Sequence, residues 1–207
     1  MLKGVKLVLF DLDGVLIDSK KNMEISWHRV QNTFGVKKPF KDYYQYIGIP
    51  FKQILKKLLI FKNHNKISSV YNKESIHQIK KVKLYSNLNR TLKKLCFKKI
   101  LIGIVTSKNK TRTLQILKFF KFIKMDVIIP PSKKLRGKPH PDQILEALRK
   151  TNINSSNAIY VGDTLVDYKA AKKSGVNFVF AEYGYGKKKK FYKYSIKNLS
   201  NLIKIIT

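Results

Sequence analysis

The sequence predicts an α/β protein in which a parallel sheet with flanking helices is interrupted, after its first strand, by a helical insertion. Three observations carry this prediction. Short, nearly continuous apolar runs recur at 5–10, 100–105, 127–129, 158–161 and 176–180, as strands buried on both faces require. Helical patterns separate the later runs, and strand alternating with helix implies right-handed parallel crossovers. The long interval between the first two runs has no convincing strand and far exceeds one crossover helix, so it must form a structure of its own.

Taken in order, Val5-Lys6-Leu7-Val8-Leu9-Phe10 is the first strand and stops abruptly at Asp11. In the interval that follows, Met23, Trp27, Val30 and Phe34 fall at i, i+4, i+7 and i+11, and Phe51, Ile54, Leu55, Leu58 and Leu59 follow Pro50 at helical spacing. A helix near 86–97 returns the chain to the sheet. Leu114, Leu117 and Phe120 then mark one helical face, Ile144, Leu145 and Leu148 a second, and Leu165, Tyr168 and Ala171 a third, with Gly175 as its stop. A last helix is expected around 198–206. The resulting organisation is a Rossmann-like core over 1–17 and 84–207 and a helical cap over 18–83.

Composition narrows the function classes. The 207 residues are 43% hydrophobic, enough for a packed core and incompatible with a wholly disordered chain. No apolar run approaches the roughly 18 residues that span a bilayer, so neither a membrane span nor a secretory signal is expected. Cys96 has no second cysteine to pair with, which fits a reducing compartment and makes the cytoplasm the expected location. The net charge of +32 would ordinarily suggest a polyanion partner. Yet the chain has 39 Lys but only 5 Arg, alongside 23 Ile and 14 Asn, a pattern of A/T-rich codon drift, and the lysines are scattered through every predicted element. Nucleic-acid binding is therefore not the expected function. The run 187–190, followed by Phe191, Tyr192 and Tyr194, is the best patch for a polyanion and reads as a solvated loop.

Acid scarcity is more informative. Only eight Asp are present, and four of them form two tight pairs. Asp11 and Asp13 follow the first strand, where open α/β sheets place their ligand crevice. Asp13-Gly14 would suit a tight turn, but a turn leaves Asp11 unexplained. Two carboxylates this close need a cation between them or a shared proton, the arrangement of a nucleophile beside a general acid. Asp163 lies in a strand-to-helix turn with Asp167 one helical turn later, on the same face. Converging with the first pair, they would form an all-oxygen site suited to Mg²⁺. Thr106 and Ser107 end the strand at 100–105, and Lys138 sits in a loop stiffened by Pro139 and Pro141. Hydroxyls and an ammonium there can hold phosphoryl oxygens. His140 reads as a loop residue and Asp142 as a helix start.

In order along the chain, Phe10-Asp11-Leu12-Asp13-Gly14-Val15, Val105-Thr106-Ser107, Gly137-Lys138-Pro139, and Gly162-Asp163 with Asp167 resemble the four motifs of phosphatases in the haloacid dehalogenase superfamily, in its branch with a helical cap after the first strand. With Ala181-Glu182-Tyr183-Gly184-Tyr185-Gly186 after the last strand, the pattern is most similar to phosphoglycolate phosphatases. The resemblance implies Asp11 as nucleophile, Asp13 as general acid and base, and Thr106, Ser107 and Lys138 as the phosphoryl grip. It implies Mg²⁺ held by the Asp11 carboxylate, the Asp13 carbonyl and Asp163, with Asp167 orienting the shell or binding the metal through water. The cap, through the turn at 47–50, would contact a small phosphorylated metabolite. Asp13 argues against the carbon–halogen branch, because expelling halide needs no general acid. A phosphosugar mutase would carry a cap histidine where this chain has Met23, and His28 is out of register. A phosphosugar mutase of the same superfamily stays open as an alternative, as does a polynucleotide phosphatase or a basic nucleic-acid-binding protein on the same fold.

Overall fold

Leu7, Val8, Leu9 and Phe10 are completely buried because their strand, β1 (Leu7–Phe10), runs through the middle of the molecule. The computed structural model describes residues 1–121 and 125–206. Beyond β1 come β2 (Ile17–Asp18), the helices α1 (Lys20–Phe34), α2 (Phe40–Tyr44), α3 (Phe51–Lys57) and α4 (His64–His77), then β3 (Lys83–Leu84) and α5 (Leu88–Phe97). The alternating part follows as β4 (Leu101–Val105), α6 (Lys110–Phe119), β5 (Val127–Ile129), α7 (Asp142–Thr151), β6 (Ala158–Gly162), α8 (Leu165–Lys173), β7 (Asn177–Ala181), β8 (Tyr194–Ile196) and α9 (Leu202–Ile205).

Six strands form one parallel sheet in the order β5-β4-β1-β6-β7-β8. Alternate residues of each strand serve opposite faces. Val8, Phe10, Ile102, Ile104, Ile159 and Val161 pack towards Leu88, Leu92 and Leu95 of α5, whereas Leu7, Leu9, Tyr160 and Phe180 pack towards α7 and α8. The chain leaves β1 for β4 on one side and reaches β6 on the other, so the strand order reverses at β1 and opens a crevice at its carboxyl end. Register puts the ends level there: Phe10 pairs with Ile104 and with Val161.

The segment between β2 and β3 buries a cluster of its own, in which Met23, Trp27 and Val30 of α1 meet Tyr43, Leu55, Ile67 and Tyr71. Trp27 stacks on Tyr43 at 4.8 Å between ring centroids, and its indole N–H donates to Lys38 O at 2.9 Å. Gly35, at φ +64°, closes α1 in the left-handed conformation. Trp27→Ala is expected to cost about 3–5 kcal/mol, measurable by urea unfolding, because it empties the centre of this cluster and removes one of the two donors to the Lys38 carbonyl.

Several sequence expectations need correction. The interval after β1 does contain strands: β2 and β3 pair antiparallel where the insertion leaves and rejoins the sheet domain, each too short to show a period. β8 was not predicted either, since Tyr194-Ser195-Ile196 presents no apolar run. Leu59, Leu114 and Leu145 are exposed. The buried faces of α6 and α7 use Thr113 and Ile116, and Gln143, Ile144, Ala147 and Leu148, so a face drawn through the leucines was rotated. The expected last helix is a 3₁₀ turn at Leu199–Asn201 followed by the single turn of α9. Among the described residues no helix is long and apolar enough to cross a membrane.

Candidate active site

Asp11 is the first residue beyond β1, and its N–H donates to Val161 O at 2.9 Å, so the neighbouring strand fixes where its side chain emerges. Lys138 reaches it from the loop before α7. Its side chain is fully buried, and its ammonium pairs with Asp11 Oδ1 at 2.9 Å and with Asp167 Oδ1 at 2.7 Å. The ammonium also donates to the Tyr160 hydroxyl at 3.1 Å, which lies 3.1 Å from Asp167 Oδ1 and from Val105 O. Asp167 is a fixed carboxylate. Its other oxygen, Oδ2, accepts from the N–H and hydroxyl of Thr164 in the capping box that starts α8.

Asp163 is also fully buried, and its Oδ2 accepts from the Tyr185 N–H at 2.6 Å. Its Oδ1 is buried without any hydrogen-bond partner, a costly condition for a carboxylate. Oxygens of Asp11, Asp163 and Asp167 lie within 4.8 Å of one another. Two glycines make this approach possible. Gly14 holds φ +84°, and a Cβ there would fall 2.1 Å from Asp163 Oδ2; a Cβ at Gly186 would fall 1.9 Å from the Asp163 carbonyl oxygen.

The electrostatics follow from burial. Asp11 is pushed up to about 7 by desolvation, opposed by Lys138 and assisted by the charges of Asp167 and Asp13. Asp163 is driven well above the usual carboxylate range by desolvation and then by Asp167 and Asp11. Burial would lower Lys138, but the paired carboxylates outweigh it and hold the ammonium protonated. Three carboxylates face one ammonium, and full ionisation would leave an excess of two negative charges, which on top of burial is why Asp11 and Asp163 hold their protons so tightly.

The remaining expected residues occupy the cleft between this cluster and the inserted helices. The Asp13 carboxylate accepts from the Ser19 hydroxyl and pairs with Lys108 at 3.1 Å, standing apart from the three-aspartate cluster. Thr106 lines the cleft, and its Oγ1 accepts from the Lys108 N–H at 3.1 Å. Ser107 lines it too and donates to Gly48 O at 2.7 Å, tying the sheet domain to the turn at 47–50, whose residues Ile47, Gly48 and Ile49 also line the cleft. His28 is an exposed partner of Gln31, and Lys188 in the basic run pairs with Glu182 in solvent; neither approaches the cleft lining.

Sequence reading missed Lys108, Tyr160 and Tyr185. Lys108 is nearly buried, and its ammonium is lowered to about 8 by desolvation and by Arg112, with Asp13 and Asp11 pulling the other way. Tyr185 belongs to the cleft and accepts from the Ser19 N–H at 2.6 Å. The position of Lys108, two residues after Thr106 at a strand end, was the available signal.

The chain is similar to known proteins over most of its length. The family model described as haloacid dehalogenase-like hydrolase matches residues 8–181. Phosphoglycolate phosphatase of Aquifex aeolicus is 27% identical over 98% of this chain and 97% of its own length. Pyrophosphatase PpaX of Halalkalibacterium halodurans is 27% identical over 86% and 84%. Among solved structures, CbbY from Rhodobacter sphaeroides in complex with phosphate superposes with a TM-score of 0.85 at 17% identity, covering 96% of each chain, which speaks for the fold. With the family model spanning most of its length and the four motifs gathered at one sheet edge, the chain belongs to the haloacid dehalogenase-like hydrolases.

Proposed function

We propose that this hydrolase is a Mg²⁺-dependent phosphatase that cleaves a small organic phosphate through an aspartyl-phosphate at Asp11. The observation that carries the reading is the buried Asp11–Lys138–Asp167 ion-pair chain beside the orphaned Asp163 Oδ1. Relatives named phosphoglycolate phosphatase and pyrophosphatase support the substrate class. In this reading residues 1–17 and 84–207 form the catalytic core and 18–83 the cap.

The donor set fits the metal: the oxygens are hard, Asp163 Oδ1 lacks a partner, and a divalent cation cancels the excess charge. Asp11, the Asp13 carbonyl and Asp163 would hold Mg²⁺, with Asp167 kept in place behind them by Lys138 and Thr164. When bound, Mg²⁺ supplies charge neutralisation to the transferring phosphoryl group.

The chain's own groups do the rest. Lys138 fixes the Asp11 carboxylate so that an oxygen attacks phosphorus in line. The bond from phosphorus to the leaving oxygen breaks as Asp13 delivers its proton to that oxygen. Water then attacks phosphorus and gives its proton to Asp13, which releases inorganic phosphate and restores both carboxyl groups. The Ser19 hydroxyl and the Lys108 ammonium hold Asp13 in position for both transfers. Thr106 and Lys108 grip phosphoryl oxygens, and the turn at 47–50 excludes bulk water.

A phosphate-release screen over glycolate, sugar, nucleotide and pyrophosphate substrates tests the reading. Release is expected with Mg²⁺ and is lost with EDTA; release undiminished by EDTA would contradict it. Gly14→Ala is expected to weaken Mg²⁺ binding by about 10–100-fold by calorimetry, because its Cβ displaces Asp163.

A further inference from the structure

Arg112 is one of only 5 arginines, and it is buried at 7% exposure in the first turn of α6. It lines the same cleft as Asp11, Asp13 and Lys108. Its guanidinium lies over the Tyr71 ring, 5.0 Å from the centroid, and its Nε is buried without a hydrogen-bond partner. Among the described residues no carboxylate pairs with it, whereas the neighbouring Lys108 has Asp13. A guanidinium stays charged at any working pH, and burying it uncompensated is expensive. It also lies near enough to Lys108 for its charge to depress that ammonium.

We propose that Arg112 receives a second anionic group of the substrate, so that the site selects small phosphate compounds with a carboxylate or a further phosphoryl group remote from the reacting phosphorus. This deepens, and rests on, the phosphatase reading above. The planar fork of a guanidinium matches the paired oxygens of either group. Tyr71, held by the Tyr43 hydroxyl at 2.9 Å, keeps the guanidinium plane in place. The cleft has about 60 Å³ of free volume, room for only a few water-sized groups, so a compact ligand is what it takes. Met23, Phe51 and Ile54 on the same wall offer no side-chain polar group, so beside the neutral Tyr43 and Tyr71 hydroxyls Arg112 is the charged partner for the anionic end on that side.

Calorimetry with three non-hydrolysable probes, in excess Mg²⁺, tests this: methylphosphonate, phosphonoacetate and methylenediphosphonate. The wild type is expected to bind phosphonoacetate or methylenediphosphonate at least about tenfold more tightly than methylphosphonate, the worth of a charged hydrogen-bonded pair. Whichever is preferred identifies the second group as carboxylate or phosphoryl. Arg112→Gln removes that ratio, and Arg112→Lys, which retains charge without the fork, keeps part of it. Equal affinity for all three probes in the wild type, or a ratio undiminished in both variants, overturns the proposal. Hydrolysis of p-nitrophenyl phosphate separates the two readings: turnover without probe preference defeats the Arg112 assignment alone, and probe preference without turnover of any phosphate ester defeats the phosphatase reading alone.

Discussion

Asp11→Asn is expected to lower kcat for phosphate release by at least roughly four orders of magnitude while leaving the fold intact. The amide cannot attack phosphorus, so the two-step route closes. Structure survives because the substitution removes one of three mutually repelling buried carboxylates; the amide oxygen can still accept from Lys138, and Asp167 still neutralises that ammonium. Steady-state kinetics with thermal unfolding measures both halves. Turnover within tenfold of wild type would remove Asp11 from the nucleophile role, whereas loss of the fold would show that the cluster is chiefly structural.

Lys138→Met is expected to have the largest effect on stability, about 3–5 kcal/mol. The ammonium is the only cation paired with Asp11 and Asp167 among the described residues, and all three groups are buried. Removing it leaves two carboxylates without compensation and orphans the Tyr160 hydroxyl from one of its partners. For a chain of this size the transition temperature should fall by roughly 10 °C. Adding Asp167→Asn to Lys138→Met should restore part of the loss, because it removes one of the stranded charges; this coupling is read by a double-mutant cycle. An unchanged transition temperature in the single variant would mean that the ion-pair chain carries no net stabilisation.

The sheet was legible because its strands are buried on both faces and so appear as unbroken apolar runs; Leu7–Phe10 and Ala158–Gly162 are buried at every position. The acidic residues were legible for the opposite reason: in a chain this poor in acid, two Asp pairs at strand ends cannot be background. What escaped has equally physical causes. Two-residue strands such as β2 and β3 have no period to read. Thr113 and Gln143 take buried helix positions because the Thr113 hydroxyl donates to the Lys108 and Asn109 carbonyls and the Gln143 amide N–H groups to those of Thr106 and Ile129, so a face chosen from apolar residues alone turned Leu114 and Leu145 inward. Lys108 was hidden among 39 lysines. Arg112 lies in a turn with no motif around it, and only the packing of α6 beneath Tyr71 brings it into the cleft.

The central claim is a double displacement at phosphorus, with a side-chain carboxylate of this chain as the transient acceptor. The most direct measurement is the stereochemical course of hydrolysis of an isotopically chiral phosphorothioate monoester in heavy-oxygen water. Two successive in-line attacks, first by Asp11 and then by water, predict net retention of configuration at phosphorus. Net inversion would mean that water attacks the substrate directly, and Asp11 would then have no covalent role.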